Sequence, residues 1–295
     1  VNPIAGRGGH GYLLARLIRL LRAEGISVAR TNTPVDPLGQ ALRQRIDPAA
    51  DVVIAAGGDG TVRQVINALL PRRTPVLILP LGTENIVAKE LEIRPEPRAA
   101  LAALRAGRLQ PMDVADCNGR HFLIVSGVGF DAVVVNRLMP TRASHITHAD
   151  YFWPIWRTFF SYAFPAIEVE VDGRCIFSGR GLAFVGNCAR YSIGLRILSR
   201  ARFDDGLLDV CIYRCAGRIA LLRHSWRTVL GRHLVAPDVT YRRGRSIRIR
   251  SPERVPIELD GDPAGCLPAC YSIQPSAAVM LLPPPGVCRQ TIPRR

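Results

Sequence analysis

The residue types that bind phosphate occur in two glycine-rich turns. The turns are Gly57-Gly58-Asp59-Gly60-Thr61 and Pro80-Leu81-Gly82-Thr83-Glu84-Asn85. Each follows an apolar, β-branched run and precedes a helix-like pattern, an arrangement that aims backbone N–H groups at an anion. The hydroxyls of Thr61 and Thr83 add donors, and the Asp59 carboxylate can reach a metal bound to the phosphates. We therefore interpret the two turns as a nucleotide site.

The elements that position these turns alternate between strand and helix. The apolar runs 51–56 and 75–79 are predicted strands that lead into the turns, and a helix is predicted after the first turn. The remaining predictions are a helix over 12–21, a strand over 26–30, and helices near 38–45 and 98–107. Such alternation is typical of a parallel sheet covered by helices, with both turns at the carboxyl ends of neighbouring strands.

The pattern changes after Asp113, where short strands follow one another. Asn118-Gly119 and Asp172-Gly173 are hairpin turn dipeptides, and only the segments 150–164 and 217–230 indicate long helices. This half therefore predicts an antiparallel sandwich or barrel. The predicted organisation is an α/β nucleotide-binding domain over 1–112, a β-sandwich domain over 113–282 and a tail over 283–295.

Composition and charge limit the partners and the compartment. The 295 residues carry a formal net charge of +15, which favours an anionic partner, either nucleic acid or an acidic membrane. The arginines are spread evenly along the chain rather than in one stripe, so we expect no nucleic-acid binding. Eight scattered cysteines without a signal peptide, and no apolar run of membrane-spanning length, predict a cytoplasmic protein with reduced thiols.

A third glycine-rich segment precedes both turns. Gly6-Arg7-Gly8-Gly9-His10-Gly11 satisfies the G-x-G-x-x-G spacing, but no carboxylate follows the next predicted strand, as a dinucleotide fold would require. The chain also lacks a Walker A sequence, which excludes a P-loop ATPase. The segment is still expected to touch phosphate, because its glycines open a helix.

Five sequence blocks together resemble the diacylglycerol kinase catalytic-domain family, which includes bacterial soluble lipid kinases and sphingosine and ceramide kinases. The blocks are Asn2-Pro3-Ile4-Ala5-Gly6, Gly57–Thr61, Pro80–Asn85, the stretch from Gly186-Asn187 through Asp204-Asp205-Gly206-Leu207-Leu208-Asp209, and Leu259-Asp260-Gly261-Asp262. The resemblance implies an N-terminal α/β nucleotide domain and a C-terminal β-sandwich, with ATP and lipid meeting in the cleft between them.

The resemblance also implies ATP and Mg²⁺ as cofactors and assigns residues to them. Asp59, in a network with Asp113, would hold the catalytic Mg²⁺. A second, structural Mg²⁺ would take the Asp205 carboxylate and the backbone carbonyls of Arg202 and Leu207. The residues expected around ATP are Asn2, Pro3, Ile4, Ala5, Gly6, Thr33, Gly57, Gly58, Asp59, Gly60, Thr61, Val62, Arg63, Gln64, Gly82, Thr83 and Asn85.

The catalytic base implied by the resemblance is Asp262, which stands where the family usually has a glutamate. Asp260 is an alternative base, because the aspartate side chain at 262 is one methylene shorter. Gln64 is a second departure from the family pattern. After the glycine turn Gly57–Thr61, many members have Asn-Glu where this chain has Arg63-Gln64. The main prediction is an ATP-dependent lipid kinase acting on diacylglycerol or a related long-chain lipid. The alternative is a catalytically weak or inactive regulator that binds lipid or nucleotide on the same fold.

An aromatic segment over 151–162 has two interpretations. It is either a helix packed into the core or a lip that enters the membrane interface, where Trp and Tyr prefer to lie. The second interpretation makes the protein peripheral at the inner membrane surface, with a lipid substrate taken from an anionic bilayer. The sequence leaves a homodimer open.

Overall fold

The computed structural model describes residues 11–33, 39–138 and 152–285. The chain forms two compact units, the first made of Val1–Met112 with Ser276–Arg295 and the second of Asp113–Pro275. The predicted fold class, an α/β domain followed by an antiparallel β-sandwich, is confirmed. The segment 276–282, which the sequence assigned to the second domain, belongs to the first unit, because Met280 pairs in parallel with Val76 there.

The first unit is built on parallel strands with helices around them. β1 and β2 pair in parallel from Val53–Val76 to Gly57–Pro80, as the sequence predicted for the strands that lead into the turns. The elements are α1 (Gly11–Ala23), α2 (Gln40–Arg43), β1 (Val53–Gly57), α3 (Asp59–Leu69), β2 (Val76–Pro80), α4 (Ile86–Glu90) and α5 (Pro97–Ala106).

The core of this unit follows from helical periodicity. Leu13, Leu17 and Leu21 recur every four residues on α1, are buried, and pack with apolar residues of β2 and α5. The predicted strand over 26–30 is wrong, since those residues form no strand. A strand needs a ladder partner, and within the described ranges β1 pairs only with β2.

The second unit contains most of the remaining strands and three helices. Its elements, some of which begin or end in the first unit, are β3 (Arg108–Cys117), β4 (Arg120–Phe122), β5 (Val125–Val128), α6 (Phe130–Leu138), α7 (Phe152–Ser161), β6 (Ala166–Val171), β7 (Arg174–Gly186), β8 (Leu208–Arg214), α8 (Arg218–Val229), β9 (Val239–Gly244), β10 (Ser246–Arg250), β11 (Pro256–Leu259), β12 (Asp262–Cys266) and β13 (Ala269–Leu282). Short 3₁₀ turns lie at Ser192–Gly194 and His233–Val235.

Antiparallel pairing and tight turns build the sandwich. Asn118-Gly119 joins β3 to β4 and Asp172-Gly173 joins β6 to β7, and all four residues have positive φ, as the type I′ turn requires. The long strand β7 pairs with β6 along its first part and with β5 and β8 along its second. Alternating apolar residues from both sheets form one buried cluster. Among the helices of the described ranges, none is long and apolar enough to cross a bilayer.

Candidate active site

The two glycine turns of the first unit touch each other through their backbones. The Leu81 N–H donates to the Gly57 carbonyl at 2.9 Å. A Cβ on Gly82 would lie 2.5 Å from the Cα of Gly58, so no side chain fits between the two turns. Glycine is therefore required here for close approach, and the two turns form one continuous backbone surface at the end of β1 and β2.

Asp59 joins the two turns through its side chain. Its carboxylate oxygens accept the backbone N–H of Ile86 at 2.9 Å and that of Val87 at 3.0 Å, so Asp59 satisfies the first amides of α4. Asn85 has a left-handed backbone with φ of 49°. Its amide side chain accepts from the Gly82 N–H at 2.9 Å and donates to the Gly82 carbonyl at 2.7 Å. The Asp59 carboxylate thus fixes the second turn as well as its own.

Two of the threonine hydroxyls that were expected around ATP are buried without a hydrogen-bond partner in the described part of the chain. They belong to Thr61, which is 3% exposed, and Thr33. Around Gly60, in contrast, a Cβ would meet only open space. Buried hydroxyls normally find a partner, so these two are consistent with a ligand that supplies one.

The other residues predicted to bind ATP differ in exposure. Val62 and Arg63 are buried, Gln64 and Gly58 are half-buried, and Thr83 is exposed. Any contribution of Val62 would come from its backbone, because its side chain is 2% exposed on the inner face of α3. The predicted contacts from Asn2 to Gly6 lie outside the described residues.

In the second unit, the Asp260-Gly261 turn joins β11 to β12. Asp260 and Gly261 have φ of 51° and 81°, and Leu259 pairs with Asp262 across the turn. The Asp260 carboxylate accepts the backbone N–H groups of Leu123 and Ile124 at 2.9 Å and that of Val125 at 3.3 Å. Three amide donors give Asp260 a structural task, which is to hold the connection between β4 and β5. Asp262, the first residue of β12, is half-buried.

A pair of carboxyl groups that the sequence analysis missed lies beside this turn. Glu258 is fully buried and accepts the N–H of Gly127 and that of Gly261, each at 2.6 Å. The Tyr191 hydroxyl donates to Asp131 at 2.5 Å. Burial and the neighbouring Asp131 carboxylate raise the pKa of Glu258 well above its ordinary value. Burial also raises the pKa of Asp131, and hydrogen bonds with Tyr191 and Glu258 oppose this rise. The pair therefore holds a proton to higher pH in the folded protein than an ordinary carboxyl group does.

This retained proton gives a pH dependence of stability. The unfolded chain releases the proton near the ordinary carboxyl pKa, whereas the folded chain holds it, so stability falls as pH rises above that value. We expect Asp131→Asn to reduce this fall, because the amide removes the like charge and can donate to Glu258. Urea unfolding at about pH 6 and about pH 8.5 measures the change. Asp51→Asn, at an exposed position, is the control, and an equal slope in both variants would contradict the assignment.

Asp113 anchors a loop of the second unit. Its carboxylate accepts the Gly206 N–H at 2.6 Å, its own N–H donates to the Phe203 carbonyl at 2.6 Å, and its carbonyl accepts from the Asn187 amide at 3.0 Å. Asp113 is 1% exposed. It therefore fixes the segment 203–206 that leads into β8.

The side chains around the expected second Mg²⁺ have other partners in this structure. Asp205 is paired with the Arg243 guanidinium and accepts the Leu207 N–H at 3.2 Å. The Arg202 side chain pairs with Asp204, whereas the ligand expected from Arg202 is its backbone carbonyl. Arg243 balances the Asp205 charge here, and the second Mg²⁺ stays a prediction. No cluster of three or more metal-binding side chains occurs within residues 11–33, 39–138 and 152–285.

Arg243 also reaches the fully buried Asp209 at 3.3 Å, and Tyr241 donates to the same carboxylate at 2.6 Å. Burial raises the pKa of Asp209, and interactions with Tyr241 and Arg243 oppose this rise. We expect Arg243→Ala to lower the free energy of unfolding by about 2 kcal/mol, because it leaves a buried carboxylate with less compensation. Urea unfolding measures the loss, and the exposed Arg242→Ala is the control. Equal small losses of unfolding free energy in both variants would show that the Arg243 guanidinium does not stabilise the buried Asp209 carboxylate.

The structure thus combines an α/β unit that has two joined glycine turns with an antiparallel β-sandwich. The sequence matches the diacylglycerol kinase catalytic domain over residues 1–117 and the YegS C-terminal NAD kinase beta sandwich-like domain over residues 124–282. The chain therefore belongs to the diacylglycerol kinase family, and it is a kinase.

Individual relatives agree with this assignment along nearly the full chain. A diacylglycerol kinase of Bacillus subtilis is 25% identical over 272 residues, covering 90% of this chain and 89% of the relative. One of Mycobacterium tuberculosis is 28% identical over 293 residues, covering 97% and 94%. A crystal structure of a candidate diacylglycerol kinase from Bacillus anthracis has a TM-score of 0.75 at 25% identity and covers 96% of each chain.

Proposed function

We propose that this chain transfers the γ-phosphate of ATP to the hydroxyl group of diacylglycerol or a related long-chain lipid. The observation that carries the proposal is the backbone contact of the two glycine turns, with Asp59 bonded to the amides of α4. Open space above Gly60 and the buried hydroxyl of Thr61 suit a phosphate group. The kinases to which the chain is similar support a lipid as the acceptor.

Asp59 is the residue of the first unit that fits a role in Mg²⁺ binding. Each carboxylate oxygen has two lone pairs. The hydrogen bonds to α4 are therefore compatible with a second role for Asp59, which is to hold Mg²⁺ or a water molecule bound to the ion. Mg²⁺, when bound, neutralises charge on the phosphates during transfer.

The acceptor chemistry needs one carboxylate base. The lipid hydroxyl oxygen attacks the γ-phosphorus, the bond to the ADP oxygen breaks, and the hydroxyl proton passes to the carboxylate. We assign this base to Asp262, because the carboxylate of its alternative, Asp260, accepts three backbone N–H bonds that hold the β4–β5 connection. Protein groups supply positioning and charge, and the transferred group needs no covalent intermediate.

A water-insoluble acceptor requires contact with the bilayer, and α7 supports such contact. Its side chains Phe152, Trp153, Trp156 and Phe160 are between 50% and 67% exposed, so they do not form the core helix that was one interpretation of the segment. Aromatic rings at a surface favour the membrane interface. We therefore propose that the kinase works as a peripheral protein at the cytoplasmic face of an anionic membrane.

Lipid-dependent ADP formation tests the proposal. The purified chain is given ATP and Mg²⁺ with anionic vesicles that contain dioleoylglycerol, ceramide or no acceptor. We expect ADP formation above the acceptor-free rate with dioleoylglycerol. If ATP binds and no acceptor raises the rate, the kinase assignment fails for these lipids and a nucleotide-binding regulator becomes the better account.

A further inference from the structure

The outer face of α8 carries a second set of exposed apolar side chains. Ile219, Leu222, Trp226 and Val229 are 84%, 58%, 66% and 62% exposed. Their spacing of three or four residues places them along one stripe of the helix. The inner face is occupied by Leu221, His224 and Thr228, which are buried. The helix therefore carries an apolar stripe on the side that faces solvent, opposite its buried residues.

The first turn of α8 contacts the last turn of α7. The Arg218 guanidinium donates to the Phe159 carbonyl at 3.2 Å and to the Phe160 carbonyl at 2.5 Å. It also lies 5.9 Å from the centroid of the Phe160 ring. Phe159 and Leu221 belong to the same apolar cluster. The two helices thus meet at these ends, and we name Ile219, Leu222, Trp226 and Val229 the α8 stripe.

Most of the charged residues along and beside the α8 stripe are basic. Between Asp209 and Asp238 the sequence contains no acidic residue, and it contains five arginines, at 214, 218, 223, 227 and 232. The helix α7 has no acidic residue either. Asp238 balances Arg223 and Arg227 at one end. Two copies of this surface would bring arginines together without matching carboxylates, whereas anionic lipid headgroups would match them.

We propose that the α8 stripe lies in the interfacial zone of an anionic membrane, beside α7, as a second anchor. This inference rests on the proposed lipid kinase function and adds to it the element that holds the protein on the bilayer. Arginine snorkels to the headgroups while apolar and indole side chains enter the acyl boundary. A helix with an apolar outer face and arginine flanks suits that position without spanning the membrane.

The tryptophans of the chain make the proposal directly measurable. The sequence has three, Trp153 and Trp156 on α7 and Trp226 on α8, and each is at least 50% exposed. The double variant Trp153→Phe/Trp156→Phe keeps Trp226 as the sole tryptophan, whose emission can be excited selectively. With vesicles of phosphatidylcholine and phosphatidylglycerol we expect its emission to move to shorter wavelength and iodide quenching to fall severalfold. Vesicles of phosphatidylcholine alone should give little change. Unchanged Trp226 emission on vesicles that bind the protein would overturn the proposal.

Vesicle sedimentation supplies the second readout. We expect Ile219→Ser/Leu222→Ser to weaken partitioning on the order of 10-fold, since binding scales with buried apolar area. The matched control is Leu109→Ser, an exposed leucine of the first unit that is 60% exposed. Equal partitioning of the two variants would contradict the inference. A lipid-free shift of Trp226 that grows with protein concentration, together with dimer in sedimentation velocity, would assign the stripe to a second copy instead.

Failure of this inference is distinct from failure of the proposed function. Both vesicle measurements are made without ATP. Phosphate transfer to a detergent-dispersed diacylglycerol reports on catalysis alone, and we expect Ile219→Ser/Leu222→Ser to retain it.

Discussion

Replacing Asp59 with alanine should lower phosphate transfer to lipid by about 10³-fold. The change removes the acceptor that holds Ile86 and Val87, so the helix after the second glycine turn loses its side-chain link to the first turn. A displacement of about 1 Å of a positioned phosphate costs on the order of 10²-fold in rate, and loss of the carboxylate proposed to hold Mg²⁺ adds to that. Initial rates with saturating ATP and dioleoylglycerol vesicles measure the effect.

Stability separates positioning from simple unfolding in this variant. Loss of a helix-capping carboxylate costs about 1 kcal/mol, so Asp59→Ala should remain folded in urea unfolding. Asp59→Asn retains one oxygen acceptor for α4 but no charge, and we expect its stability loss to be smaller while its rate stays low. Asp51→Ala, an exposed aspartate of the same unit, is the control. Near-normal phosphate transfer by Asp59→Ala would show that Asp59 has no role in the active site.

Replacing Asp262 with asparagine should lower kcat by about 10²- to 10⁴-fold, the usual contribution of a general base. The KM for ATP should stay unchanged, because Asp262 belongs to the second unit and has no part in the glycine turns. Thermal unfolding should also stay near that of the wild type, since Asp262 is half-buried at the start of β12. Asp262→Glu should retain transfer, since it restores the carboxylate typical of the family.

Asp260→Asn should give the opposite pattern. Its carboxylate accepts three backbone N–H groups. The asparagine side chain has one oxygen acceptor and one NH₂ group, and the NH₂ group cannot accept, so at least one of these hydrogen bonds is lost. We expect a stability loss of about 1–3 kcal/mol with a smaller fall in kcat among folded molecules. If Asp260→Asn abolishes transfer at full stability while Asp262→Asn transfers normally, the roles of the two aspartates are exchanged.

The sequence predicted those parts of the fold that depend on local pattern. The strands before both glycine turns, the apolar positions of α1 and α3, and the Asn-Gly and Asp-Gly hairpins follow from periodicity and turn chemistry, and they appear where expected. The described elements with no such local signal were missed. The run Phe130–Val135 is rich in β-branched residues yet forms α6, and Pro275 inside β13 resembles a break.

Predictions about the site were limited by contacts between distant segments. The sequence places Asp260 and Asp262 in one turn, but only folding brings the amides of 123–125 onto Asp260. The same holds for Arg243, which reaches Asp205 and Asp209 from another strand. The one available signal for the carboxyl pair was Glu258 within the apolar run 255–259, since a buried glutamate needs a partner.

Transfer of labelled phosphate into extracted lipid tests the central claim most directly. Wild type, Asp59→Ala and Asp262→Asn are incubated with γ-labelled ATP, Mg²⁺ and anionic vesicles made from a total lipid extract. The lipid-kinase assignment predicts one labelled lipid from the wild type, with the mobility of a phosphorylated diacylglycerol or related alcohol, and its loss in both variants. A wild type that binds ATP and labels no lipid, or a labelled lipid that persists in both variants, would contradict it.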